Sequence, residues 1–93
     1  MSISNVRDLS RRTRYEIYLD ILETVRRKGA CPITRISYGA GIPVDRTKNV
    51  VRFLVSRGLV REENISDKRL YRITTRGGEF LEALKTVRKF VRS

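Results

Sequence analysis

Ninety-three residues carry 21 Lys+Arg against 10 Asp+Glu, a formal net charge of +11, with no histidine and one cysteine. A chain of this length supports one small core rather than two domains, and it has no apolar run long enough to cross a bilayer. The single Cys31 excludes an intrachain disulfide and a cysteine-based zinc site, and without histidine a His-dependent catalytic centre is excluded as well. The basic excess favours an anionic partner: nucleic acid first, an anionic membrane surface second, an acidic protein third.

Residues 1–12 have no sustained periodicity and include Arg7, Arg11 and Arg12, which reads as a flexible basic arm without the apolar stretch of a signal peptide. Thr13 and Glu16 form a capping-box pair ahead of a helical stripe at Ile17, Ile21, Leu22 and Val25. Gly29 ends that helix, and Arg26, Arg27 and Lys28 complement its dipole. Cys31 reads as a reduced thiol before the next helix or, alternatively, as the donor of an intermolecular disulfide. Pro32 opens a short helix from Ile33 to about Ala40, with Ile36 and Ala40 inward. Gly41 supplies the positive φ of a sharp turn, Ile42 plugs that turn into the core, and Pro43 and Val44 open a third helix. Val50, Val51, Leu54 and Val55 form the third helix's apolar face, and Gly58 caps it. Short helix, glycine-containing turn and longer helix make a helix-turn-helix.

Leu59–Glu63 reads as a strand, Asn64–Lys68 as a polar turn and Arg69–Thr74 as a second strand with Tyr71 and Ile73 on one face. Thr74 caps a last helix containing Glu79, Phe80, Leu81, Leu84, Val87, Phe90 and Val91, whose first turn is weakened by Gly77 and Gly78. The expected fold is mostly α with a small β-hairpin. It is a winged helix-turn-helix over residues 13–74 with an added C-terminal helix over residues 75–93.

On a helical wheel the face of the third helix opposite Val51 and Leu54 carries Asp45, Asn49, Arg52 and Ser56, flanked by Arg46 and Lys48. A helix fits the DNA major groove; Arg pairs bidentately with guanine and Asn with adenine, so Asn49 and Arg52 are the base-edge candidates. Arg46 and Lys48 suit phosphates, as do Arg35 beside the second helix's N-terminal amides and Lys68 and Arg69 at the wing tip, with Arg72 following. Asp45 repels the DNA backbone unless it pairs with Arg46 or accepts from cytosine. Arg61, Glu62 and Glu63 read as a structural patch of mixed sign. Arg11, Arg12 and Arg14 either track a groove or stay in solvent. Tyr15, Tyr18 and Tyr38 suit packing better than stacking on unpaired bases, since Tyr18 and Tyr38 are read at helical spacing from core positions.

Phe80, Leu84, Val87 and Val91 recur at spacings of four, three and four, a heptad seam, while Leu81 and Phe90 lie off the seam and suit the first helix. Either the whole helix belongs to the chain's own core or its distal half pairs with a second copy, and the two can hold together, with a homodimer as the expectation. A dimer would set two recognition helices on one duplex.

The segments Tyr15-Glu16-Ile17 to Asp20-Ile21-Leu22-Glu23, Thr34-Arg35-Ile36-Ser37-Tyr38-Gly39-Ala40 and Tyr71-Arg72-Ile73-Thr74-Thr75-Arg76-Gly77-Gly78-Glu79-Phe80-Leu81 resemble the small archaeal winged-helix DNA-binding proteins. More narrowly they resemble the 10-kDa chromatin-associated group that dimerises through a C-terminal antiparallel coiled coil. The resemblance spans about residues 13–90. It implies duplex DNA binding with Val44–Arg57 as recognition helix and Glu63–Arg69 as wing, and a homodimer.

The expected function is therefore duplex DNA binding in transcription control or chromatin organisation, in a cytoplasmic, nucleoid-associated protein. The alternative is a protein-interaction winged helix within a larger assembly. An enzyme is not expected: there is no Gly-rich phosphate loop, and Glu62 and Glu63 are neighbours on opposite faces of a strand. No cofactor, small-molecule ligand or membrane partner is expected. The lack of Gln and His with 33% charged residues is compatible with a thermophilic source.

Overall fold

In a computed structural model, which describes residues 12–92, the chain runs α1 (Arg14–Lys28), α2 (Ile33–Ala40), α3 (Val44–Ser56), β1 (Val60–Ile65), β2 (Lys68–Ile73) and α4 (Thr75–Arg92). The expected basic arm lies outside the described residues except for Arg12.

Each helix begins and ends on chemistry local to it. Thr13 Oγ1 accepts the Glu16 N–H at 3.3 Å, and Glu16 Oε1 accepts the Thr13 N–H at 2.9 Å, closing the capping box on α1. Gly41 adopts φ 68°, the left-handed geometry needed to turn from α2 into α3. Ser37 Oγ and Thr47 Oγ1 both donate to the Ile42 carbonyl, so the turn's buried backbone is satisfied from both helices. Arg12 does not belong to a free arm, which corrects the expectation for that residue. Its guanidinium donates to Asp20 Oδ2 at 2.6 Å, to the Ala40 carbonyl at 3.0 Å and to the Gly41 carbonyl at 2.8 Å. It thereby ties the start of α1 to the end of α2.

The hairpin is longer and its turn tighter than the polar stretch Asn64–Lys68 suggested. Asn64 pairs with Arg69 and Ile65 with Lys68, leaving Ser66 and Asp67 as the turn. Their φ values, 51° and 64°, are the consecutive positive pair that a two-residue hairpin requires. Asn64 and Lys68 are polar because the tip stands in water, not because pairing has ended. Cys31 adds a short third segment to the sheet: its N–H donates to the Tyr71 carbonyl at 3.1 Å and its carbonyl accepts the Tyr71 N–H at 2.9 Å. The thiol is buried, and that burial raises its pKa above the ordinary value. An intermolecular disulfide through Cys31 is excluded by this burial.

The core is assembled from every element: Ile21, Leu22 and Val25 of α1, Ile36 of α2, Val51 and Leu54 of α3, Val60 and Tyr71 of the hairpin, and Leu81 and Leu84 of α4. Arg26 meets Glu82 at 3.0 Å and Lys85 meets Glu23 at 3.4 Å, aligning α4 antiparallel to α1. Exposed pairs of this kind add little stability, so the apolar line Leu81–Leu84 holds α4. Leu84 is therefore part of the chain's own core at 6% exposure, a correction to the expected heptad seam, and Phe80 packs at its edge. By Arg88 the helix is already beside Arg12, Tyr15 and Glu16 at the start of α1. Beyond that point α1 offers no partner. Phe90 consequently does not pack on α1, as its off-seam position suggested, but stands 79% exposed beside the exposed Val87 and Val91.

Candidate nucleic-acid interface

The α3 helix buries Thr47, Val51 and Leu54, and this sets the direction of everything else on it. Thr47, unremarked in the sequence, sits four residues before Val51 on the same helical line, and its hydroxyl donates to the Pro43 carbonyl at 3.0 Å. Asp45, Asn49, Arg52 and Ser56 are exposed on the opposite arc.

Two concavities flank that arc. Lys48 and Arg52 face the wing across a cleft of about 290 Å³ whose other walls are Ile33, Val55, Glu62, Arg69 and Tyr71. Arg46 and Asn49 face α1 across a shallower groove of about 640 Å³ with Arg14, Tyr18 and Phe53. The Tyr18 and Phe53 rings stack with centroids 5.4 Å apart, and the Arg57 guanidinium lies 5.4 Å from the Phe53 centroid. Tyr18 thus packs as expected. Tyr38 does not: it is 89% exposed on α2, one turn beyond the exposed Arg35. Tyr38 lies two positions from both Ile36 and Ala40, an offset of roughly 200° on a helix, so its outward direction was legible in the sequence.

Asp20 neutralises Arg12 just ahead of α1, and Glu23, Glu62, Glu63 and Glu82 each neutralise a cation on α1, α4 or the wing. Glu63 accepts from Arg61 and from Arg72, and the Arg61 bond first, with that of Arg72, holds its carboxyl below the ordinary 4.5. The patch of mixed sign is therefore an internal brace of the hairpin. Among the described residues, Arg35, Arg46, Lys48, Arg52 and Lys68 have no ion pair, as is also true of Arg14, Arg27, Lys28, Arg57, Arg76, Arg88 and Lys89 elsewhere, and Asp45 does not pair with Arg46. Arg69, expected as a free cation of the wing, instead meets Glu62 at 2.9 Å. The fold thus brings Arg46, Lys48, Asn49 and Arg52 together on α3, sets Arg35 on α2 and Lys68 at the wing tip, and places Arg69 across the cleft from Arg52.

Residues 11–92 match the winged helix-turn-helix family. The chain is similar in structure to Sso10a-2, a DNA-binding protein from Sulfolobus solfataricus, with a TM-score of 0.79 and 30% identity over 85% of this chain and 81% of that one. A MarR family transcriptional regulator from Silicibacter pomeroyi superposes with a TM-score of 0.71 and 18% identity over 82% of this chain and 52% of that one. Staphylococcus aureus MepR, in its DNA complex, gives a TM-score of 0.63 and 16% identity over 87% of this chain and 68% of that one. At these last two identities the likeness is one of fold. No curated protein sequence matches the chain.

Proposed function

The chain belongs to the winged helix-turn-helix family, and from that membership we propose that it binds duplex DNA as a transcriptional regulator or chromatin-associated factor. The observation that carries the reading is the exposed face of α3, which sets Arg46, Lys48 and Arg52 side by side with Asn49, none of the three cations being paired with a carboxylate among the described residues. In this reading α3 lies in the major groove with Asn49 and Arg52 toward base edges. Arg46, Lys48 and Arg35 hold phosphates, and the wing brings Lys68 to the backbone or the minor groove. The DNA-binding character of Sso10a-2, at 30% identity, supports the same partner.

A homodimer through the distal part of α4 completes the proposal. Val87, Phe90 and Val91 form an exposed apolar strip at and beyond the point where α4 passes the start of α1, and a second copy of that strip is a self-complementary cover for it. Phe90→Glu should then yield monomers in sedimentation equilibrium while leaving the helical circular-dichroism signal intact.

The test of DNA binding is a titration of a labelled random-sequence duplex across a salt series. Four phosphate-directed cations per protomer (Arg35, Arg46, Lys48 and Lys68) give a log–log slope of about −3.6, and about twice that for a dimer. Lys48→Gln should make the slope shallower by about 0.9 and weaken binding alike on all sequences, whereas Asn49→Ala should act only on a preferred sequence. No binding to any duplex at low salt would end this reading.

A further inference from the structure

We propose that the cleft between α3 and the wing is a seat for one backbone phosphodiester of the duplex, and that Glu62 is a resident competitor for it which holds DNA affinity below what the cations alone would give. The inference rests on the duplex-binding reading above and adds to it a named phosphate position and an attenuating residue.

The register of the hairpin sets the geometry. Glu62 is paired with Tyr71, so both side chains emerge on the same face, the one turned to α3. Glu63, the next residue, emerges on the opposite face and is engaged there by Arg61 and Arg72. The cleft therefore receives three cations, Lys48, Arg52 and Arg69, and one carboxylate, Glu62. Glu62 meets Arg69 at 2.9 Å, and among the described residues neither Lys48 nor Arg52 has an ion pair. The cleft is thus left with an uncompensated charge of +2 between walls that include Ile33, Val55 and Tyr71.

Apolar walls weaken solvent screening of the cations, and concave surfaces of one sign focus potential. A singly charged tetrahedral anion suits the place. Lys48 offers it three rotatable donors, while Arg52, directed to a base edge, lends the cleft its charge. Arg69 is the group in contest. A phosphodiester oxygen and the Glu62 carboxylate are both acceptors for its guanidinium, and with Glu62 in place Arg69 contributes little net charge to the duplex. Neutralising Glu62 frees that cation and removes a like charge from beside the phosphate.

The measurement is the same duplex titration between 50 and 200 mM salt, on wild type, Glu62→Gln, Glu63→Gln and the double variant Glu62→Gln/Arg69→Gln. Glu62→Gln and Glu63→Gln change net charge equally, so their difference isolates the cleft from the general field. Glu62→Gln is expected to bind more tightly, with a log–log slope steeper by about 0.9, so its advantage over wild type shrinks about 3.5-fold across that salt range. Glu63→Gln should leave the slope at the wild-type value, and the double variant should return to it. A wild type that binds while Glu62→Gln keeps its slope, or while both single variants steepen it equally, overturns the inference and leaves duplex binding standing. A wild type that binds no duplex overturns both.

Discussion

Gly77 and Gly78 are adjacent in the first turn of α4, and alanine should act on them with opposite sign. By helix propensity alone each Gly→Ala exchange stabilises by up to about 1 kcal/mol. A Cβ at Gly78 would meet nothing within 4 Å, so that gain should be realised. A Cβ at Gly77 would stand 1.9 Å from the Leu59 carbonyl oxygen and 2.8 Å from Ile73 Cγ1. Relief requires α4 or the Leu59 peptide to move by more than about 1 Å, judged against an ordinary contact of roughly 3.5 Å. Neither is free to do so. The Leu59 carbonyl accepts the Thr74 N–H at 3.2 Å, the Leu59 N–H donates to Leu54 at 2.9 Å, and Thr74 Oγ1 donates to the Gly58 carbonyl at 2.7 Å. Overpacking costs about 1–3 kcal/mol and each hydrogen bond lost about 1 kcal/mol, against about 1 kcal/mol regained in propensity. With one of these bonds lost, the net for Gly77→Ala is a loss of about 1–3 kcal/mol. For a domain of this size that corresponds to a fall in Tm of roughly 5–20 °C, with a rise of about 4–8 °C for Gly78→Ala. Thermal unfolding followed by circular dichroism reads both. A Gly77→Ala protein melting at or above wild type would refute the close approach of α4 to Leu59.

Arg12→Ala removes three hydrogen bonds that join α1 to the helix-turn-helix, and should cost about 1–2 kcal/mol in urea unfolding, discounted for partial exposure; an unchanged midpoint would return Arg12 to the solvated arm. The Glu63 and Glu82 carboxyls are both held below the ordinary 4.5, each chiefly by a hydrogen bond from an arginine, Arg61 and Arg26 respectively. A depressed native pKa contributes stability that is present above 4.5 and lost as pH falls through the lower native value, so Tm should decline on acidification below about pH 4.5. Glu63→Gln/Glu82→Gln should flatten that decline, and an unaltered acid limb would contradict the assignment. Cys31 should resist a thiol reagent such as dithionitrobenzoate in the native protein and react at once in denaturant, since the thiol is both buried and raised in pKa; immediate native reaction would place Cys31 at the surface.

Features whose physics lies within one helical turn could be read from the residues alone. The Thr13–Glu16 box, the positive φ at Gly41, the inward line Val51–Leu54 and the Thr74 cap each involve groups at most four positions apart, so spacing and residue type determine them. The polar α3 face of Arg46, Lys48, Asn49 and Arg52 follows from the same periodicity once its apolar side is known. Tertiary structure decided the contacts between elements distant in sequence. Arg12 fastens to Gly41 across the end of α2, Gly77 is demanded by the Leu59 peptide, and Leu84 is drawn from a plausible dimer seam into the core because α1 lies antiparallel beneath it. Arg69 is held by Glu62 across the hairpin because a two-residue turn, shorter than composition suggested, set the strand register. A heptad or a basic tip specifies what a side chain is suited to meet. Which partner it meets depends on the relative placement of whole helices and strands, and that follows from burying one shared core.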